Sequence, residues 1–145
     1  MPASKAEQVL EAIRETLQTI PGAVVQRNSV LPEKIPDAGL IILRDGDPGE
    51  PEQALGGFGS TYYQHVVEIE VYLEEGDAAV RDSAFDDLLQ QIGAVLEADP
   101  TLGNLAFGLT YGRPEPNIET VAGAPAIKAA TLAVTVDYES DAPLS

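Results

Sequence analysis

The stretch from Tyr62 to Leu96 constrains this chain most, because it joins one long alternating segment to one amphipathic segment through a short acidic turn. Tyr63, His65, Val67, Ile69, Val71 and Leu73 place an apolar or half-apolar side chain at every second position, while Gln64, Glu68 and Glu70 occupy the other register. A period of two is the mark of a strand buried on one face. After Glu74, Glu75, Gly76 and Asp77 the period changes, and Phe85, Leu88, Leu89, Ile92, Val95 and Leu96 recur at helical spacing. Such a strand and helix can cover each other's apolar faces, and nothing in either supplies chemistry.

The flanking segments extend the same architecture. Ser4 and Glu7 are spaced as a capping box, in which the serine oxygen accepts from the amide three residues on and the glutamate reaches back. A helix is predicted from there, with Ala6, Val9, Leu10, Ile13, Leu17 and Ile20 as its apolar stripe and Pro21-Gly22 as its stop. A strand follows over about Ala23 to Asn28, then a connection from Ser29 to Asp37 containing Pro32 and Pro36. Leu40, Ile41, Ile42 and Leu43 form an unbroken apolar run, which predicts a strand covered on both faces, the second cover open to another subunit. Past the helix, Ala98 to Gly103 reads as a turn, and Leu105, Phe107, Leu109 and Tyr111 as a short strand. A loop spans Gly112 to Pro125. A last strand over about Ala126 to Glu139 puts Ala130, Leu132, Val134, Val136 and Tyr138 on one face and Ala129, Thr131, Ala133, Thr135 and Asp137 on the other. The expected fold is α+β: one domain over residues 1–145, an antiparallel or mixed sheet of about five strands, and two helices on one face. Residues 45–60, rich in Gly, Pro and acids, read as a long flexible loop, and residues 140–145 as a frayed tail.

Composition limits the function classes. Eight Lys and Arg stand against 24 Asp and Glu, a formal charge of −16, and the cations are scattered singly. Neither phosphate tracking on nucleic acid nor attraction to an anionic membrane fits that balance. With no Cys, disulfides, thiolate metal sites and a cysteine nucleophile are excluded. The first residues lack the basic start and apolar run of a signal peptide, and no stretch has the length of a membrane span, so a soluble, non-secreted protein is expected.

The residues that can carry chemistry form no constellation. His65, the only histidine, lies on the apolar register without a nucleophile motif beside it, and reads as a hydrogen-bonded strand-end residue. Asp45, Asp47, Glu50 and Glu52 carry oxygens suited to a hard cation, but their spacing misses the calcium-loop pattern and prolines interrupt it, so a solvated acidic loop is expected. Glu68 and Glu70 are two apart on one strand face, a carboxylate pair without aromatic platforms. Gly56-Gly57-Phe58-Gly59-Ser60 precedes a strand rather than a helix and has no phosphate-loop ending. No catalytic residue, metal ligand or cofactor is assigned.

The phrases Thr61 to Leu73, Leu96 to Gly103 and Val136-Asp137-Tyr138, with the order of elements over about Ser4 to Tyr138, resemble the tail-terminator (tail-completion) proteins of long-tailed phages and prophages, the family that includes the minor tail protein U of lambda-like phages. The resemblance implies a non-enzymatic assembly protein in the virion tail or the cytoplasm of the bacterial host. It implies partners too: further copies of itself in a ring, usually of six, the tail-tube protein that the ring caps, and a head-completion or connector protein. An acidic ring lumen would let DNA pass without sticking. The physical reading nominates Asp45, Asp47, Glu50, Glu52, Phe58, Glu68 and Glu70 as interaction residues. Two other classes stay open on the residues alone: a small-ligand-binding α+β regulatory module, and an enzyme using the Glu68 and Glu70 carboxylates.

Overall fold

The computed structural model describes residues 3–32, 34–53, 60–116 and 126–145. Helix α1 is Lys5–Gln18, and strands β1 (Val24–Arg27), β2 (Leu40–Asp47), β3 (Glu52–Gln53) and β4 (Thr61–Glu74) follow it. Helix α2 is Ala78–Ala98, and β5 (Gly108–Tyr111), β6 (Glu115–Pro116) and β7 (Ile127–Ser140) complete the chain. Among the described residues the seven strands join one sheet in the order β1-β2-β4-β7-β5, with β3 beside β4 and β6 beside β7. The β1-β2 pair is parallel and every other pair antiparallel, so the sheet is mixed. The fold is α+β, as the periodicities predict.

The alternation in β4 is realised as burial. Tyr63, His65, Val67, Ile69, Val71 and Leu73 are buried, and Gln64, Val66 and Glu68 are exposed. Against them β7 contributes Ala130, Leu132, Val134, Val136 and Tyr138, which join Val9, Ile13 and Leu17 of α1 and Phe85, Leu88, Ile92 and Leu96 of α2 in the main core. Both helices therefore lie on one face of the sheet. Asp77 caps α2 by accepting from the Val80 amide at 3.0 Å. Ser4 caps α1 by accepting from the Glu7 amide at 3.2 Å, but the Glu7 carboxylate does not complete the box; it is drawn to Arg27 of β1.

Four sequence expectations are corrected. The apolar run Leu40 to Leu43 is fully buried, yet its second cover comes from this chain: Leu31 and Ile35, in the connection after β1, pack with Leu40, Ile42, Tyr72 and Ala129 on the sheet's other face. A parallel pair needs a long crossover, and the one here doubles as that cover. The expected loop over residues 45–60 begins later, because β2 continues to Asp47, and β3 interrupts it. The expected strand from Leu105 starts at Gly108, since Leu102 and Asn104 adopt positive φ and turn the chain there. The segment Ser140 to Ser145, read as frayed, is tied down: Pro143 O accepts from the Tyr63 hydroxyl at 2.8 Å and Ser145 O accepts from the Lys5 amide at 3.1 Å.

The continuation of β2 depends on one residue. Arg44 is opposite Glu68 while Asp47 is opposite Val66, so one extra residue is accommodated between them as a bulge. Gly46 sits there at φ +68°, and a Cβ on it would lie 2.0 Å from Val66 O and 2.9 Å from Val67 Cα. Gly46→Ala is expected to cost about 3 kcal/mol or more in urea unfolding, through αL strain and a clash with backbone. Gly76, with open space around its Cβ position, serves as the control. Gly76→Ala should stay within about 0.5 kcal/mol of the parent.

Candidate interaction surfaces

The bulge aims the end of β2 into a polar junction. Arg27 at the end of β1 donates from Nε and Nη2 to the two Asp45 carboxylate oxygens at 2.8 and 3.0 Å, and from Nη1 and Nη2 to Glu7 of α1 at 2.6 and 2.9 Å. One guanidinium thus joins three elements through two bidentate pairs. These hydrogen bonds hold the Glu7 and Asp45 carboxyls below their ordinary pKa values and raise that of Arg27. Asn28 Oδ1 accepts from the Asp45 amide at 3.0 Å.

His65 is 3% exposed and is held at both nitrogens. Its Nε2 lies 2.6 Å from Asp45 O and its Nδ1 2.8 Å from the Tyr138 hydroxyl. A carbonyl can only accept, so Nε2 donates to it, and in the neutral ring Nδ1 then accepts from the Tyr138 hydroxyl. Burial pushes the Tyr138 hydroxyl up to about 12, which keeps it a neutral donor. The imidazole lone pair is spent inside the fold. This is the hydrogen-bonded strand histidine that its register predicts.

The sheet face away from the helices carries Glu68 and Glu70. Glu70 is half-buried, accepts from Arg44 Nε and Nη2 at 3.2 and 3.3 Å, and takes a 2.8 Å bond from the Tyr72 hydroxyl. Burial, and then this bond, push Tyr72 up to about 12. Glu68, two residues earlier, is exposed, so the two carboxylates do not act as a pair of like groups. Asp47 is exposed and accepts from the Gly49 amide at 2.8 Å, and Glu50 and Glu52 are exposed beside it. Phe58 lies outside the described residues. Among the described residues no three His, Asp or Glu side chains converge to hold a metal ion.

The structure therefore divides the nominated acids. Asp45 and Glu70 serve intramolecular ion pairs, whereas Asp47, Glu50, Glu52 and Glu68 face solvent. Sequence reasoning missed the roles of Arg27 and Arg44. Arg44 shares the outward register with Leu40 and Ile42, a signal that was available; the Glu7 to Arg27 contact joins elements whose packing no local pattern encodes. Also missed was an aromatic pair on the outer face, Tyr62 stacked on Phe107 with centroids 5.8 Å apart.

Because Glu7 and Asp45 have lowered folded-state values, their contribution is present above the unfolded carboxylate range near pH 4 and is lost as pH falls through the folded values. Arg27→Gln should lower stability at neutral pH by about 1–2 kcal/mol, a figure discounted because both carboxylates are 43% exposed. In urea melts at decreasing pH, the parent should lose this increment below about pH 4 while Arg27→Gln is flatter there. Parallel pH profiles would remove the junction from the stability account.

No protein-family model matches the chain, and no curated protein does. Among solved structures, the chain is similar to the sheath/tube terminator of an extracellular contractile injection system, PVC, in its extended state, with 11% identity and a TM-score of 0.45 over 100% of this chain. It spans 62% of that protein's length. It is also similar to a chain from the virion of a native gene transfer agent particle, with 15% identity, a TM-score of 0.39, and coverage of 94% of this chain and 92% of that one.

Proposed function

We propose that the protein is a tail-assembly component of the terminator type, in which copies associate as a ring, end a tail tube and offer a surface to the head. The observation that carries this reading is the outer face of the β4-β7 ladder. Strands of 14 residues, far beyond the usual five or six, present Gln64, Val66, Glu68 and Ala133 to solvent, while among the described residues Leu31 and Ile35 cover one corner. A long, regular, half-covered sheet is built for contact with other proteins rather than for enclosing a substrate. Two of the three phrases that resemble the terminator family fall on this same ladder, from Thr61 to Leu73 and from Val136 to Tyr138, while the third, Leu96 to Gly103, closes α2. In this reading Glu68 and the exposed acids Asp47, Glu50 and Glu52 belong to docking surfaces, Asp45 and Glu70 hold those surfaces in shape, and the protein is not an enzyme.

A second reading rests on a different feature. A cavity of about 380 Å³ lies where the C-terminal segment meets the start of α1, lined by Pro48, Pro51, Tyr63, Tyr138, Pro143 and Leu144. That volume falls in the range of small-molecule sites. A thermal-shift screen of metabolites without any stabilisation would remove its support.

Ring formation has an electrostatic signature. Each copy carries a formal −16, so neighbouring copies repel, and screening should favour association. In sedimentation velocity the oligomer fraction should rise between about 0.1 and about 1 M salt, as the Debye length falls from about 10 to about 3 Å. A protein that stays monomeric at high concentration, with divalent salt and with tail-tube protein present, would exclude the ring.

A further inference from the structure

At the Thr61 end of the ladder the outer face carries an aromatic and acidic corner. Phe107, 59% exposed, stacks on Tyr62 with the ring planes 25° apart. Tyr62 is flanked across the sheet by Glu52 of β3 and Glu139 of β7, and the next row places Gln64, Asp137 and Gly108 side by side. The Phe107 amide donates to Asp137 O at 2.7 Å, which fixes the ring beside these acids. Asp137 Oδ1 is sequestered from solvent and has no hydrogen-bond partner among the described residues. None of the ion pairs of the described residues engages Asp137, Glu139 or Glu52. Lys5 lines the hollow adjoining Phe107 and Glu139. Beside Asp137, a Cβ on Gly108 would meet nothing within 4 Å, so the strand leaves open space there.

We propose that this corner docks an arginine side chain from a basic segment of a partner protein, its guanidinium stacked on the Tyr62-Phe107 pair and neutralising Asp137. Charge complementarity selects a cation: the Asp137 carboxylate and two flanking glutamates, none in an ion pair among the described residues, and an overall charge of −16 repel anionic partners. The exposed ring faces select arginine over lysine, since a planar guanidinium stacks on an aromatic while offering its edge donors to a carboxylate. The open space at Gly108 admits the aliphatic stem. The inference rests on this corner's chemistry alone, and holds whether or not the chain forms a ring.

Titration of the isotope-labelled full chain with Nα-acetyl-arginine amide, followed by amide and aromatic NMR shifts, tests it. Perturbations should centre on Tyr62, Phe107, Gly108 and Asp137, and the lysine analogue should bind more weakly. Phe107→Ala and Asp137→Asn should each weaken binding about threefold or more. Gly108→Leu should block the stem without touching ring or acid. Asp86→Asn, on an exposed face of α2, should leave binding within about twofold. Shifts spread evenly over the exposed acids, or equal losses in Asp86→Asn and Asp137→Asn, would overturn the proposal. So would loss of the same resonances on concentrating the protein alone, which would give the corner to a second copy.

Discussion

The pairing of β4 with β7 is the constraint on which the rest of the structure depends. The two strands are in register over 14 residue pairs, from Thr61 opposite Ser140 to Glu74 opposite Ile127, a span of about 45 Å. Every other strand except β1 is hung on this ladder, β2 and β3 along one side and β5 and β6 along the other. Its register is over-determined, because a slip by one residue would turn Val67, Ile69 and Val71 to solvent and drive Glu68 and Glu70 into the core. Its length also exceeds what the helices cover: α2, with 21 residues, spans about 30 Å. The C-terminal segment closes the remaining end, through the Tyr63 bond to Pro143.

On a chain this acidic, the few cations act as cross-links between elements. Arg27 joins β1 to α1 and β2, Arg44 joins β2 to β4, and Lys128 joins β7 to Asp82 of α2 at 3.0 Å. The last pair is solvated and contributes little; the Arg27 junction, with four charge-assisted bonds around one guanidinium, contributes most. Scattering along the sequence, which argues against a phosphate-binding patch, is what cross-linking of different elements requires. The consequence for function is that Arg27, Arg44 and Lys128 are spent inside the fold while acids such as Glu52, Glu68 and Glu139 are left facing solvent.

The two faces of the sheet thus have different status. One is finished by two helices and the C-terminal segment. Among the described residues the other is finished at the Leu31 and Ile35 corner, and beyond it runs a polar strip ending in the Tyr62-Phe107 stack. An α+β fold of this kind hosts many functions, so the reading as an assembly protein rests on that half-covered face and not on the fold class.

The sequence by itself determined the types of the long elements, the inward and outward registers of β4 and β7, and the buried stripes of both helices, because period two and period 3.6 are local and these elements, unlike the two-residue β3 and β6, are long enough to display them. It also identified His65 as a bonded strand residue, since register alone put that side chain inside. Only the tertiary structure decided what covers Leu40 and Ile42, that Glu7 leaves its own cap for Arg27, that Asp45 lies within a bulged strand instead of opening a loop, and that Phe107 meets Tyr62. These are contacts between residues far apart in the chain. Their energies depend on distances and burial that arise once the sheet is assembled, and no spacing within a single segment encodes them.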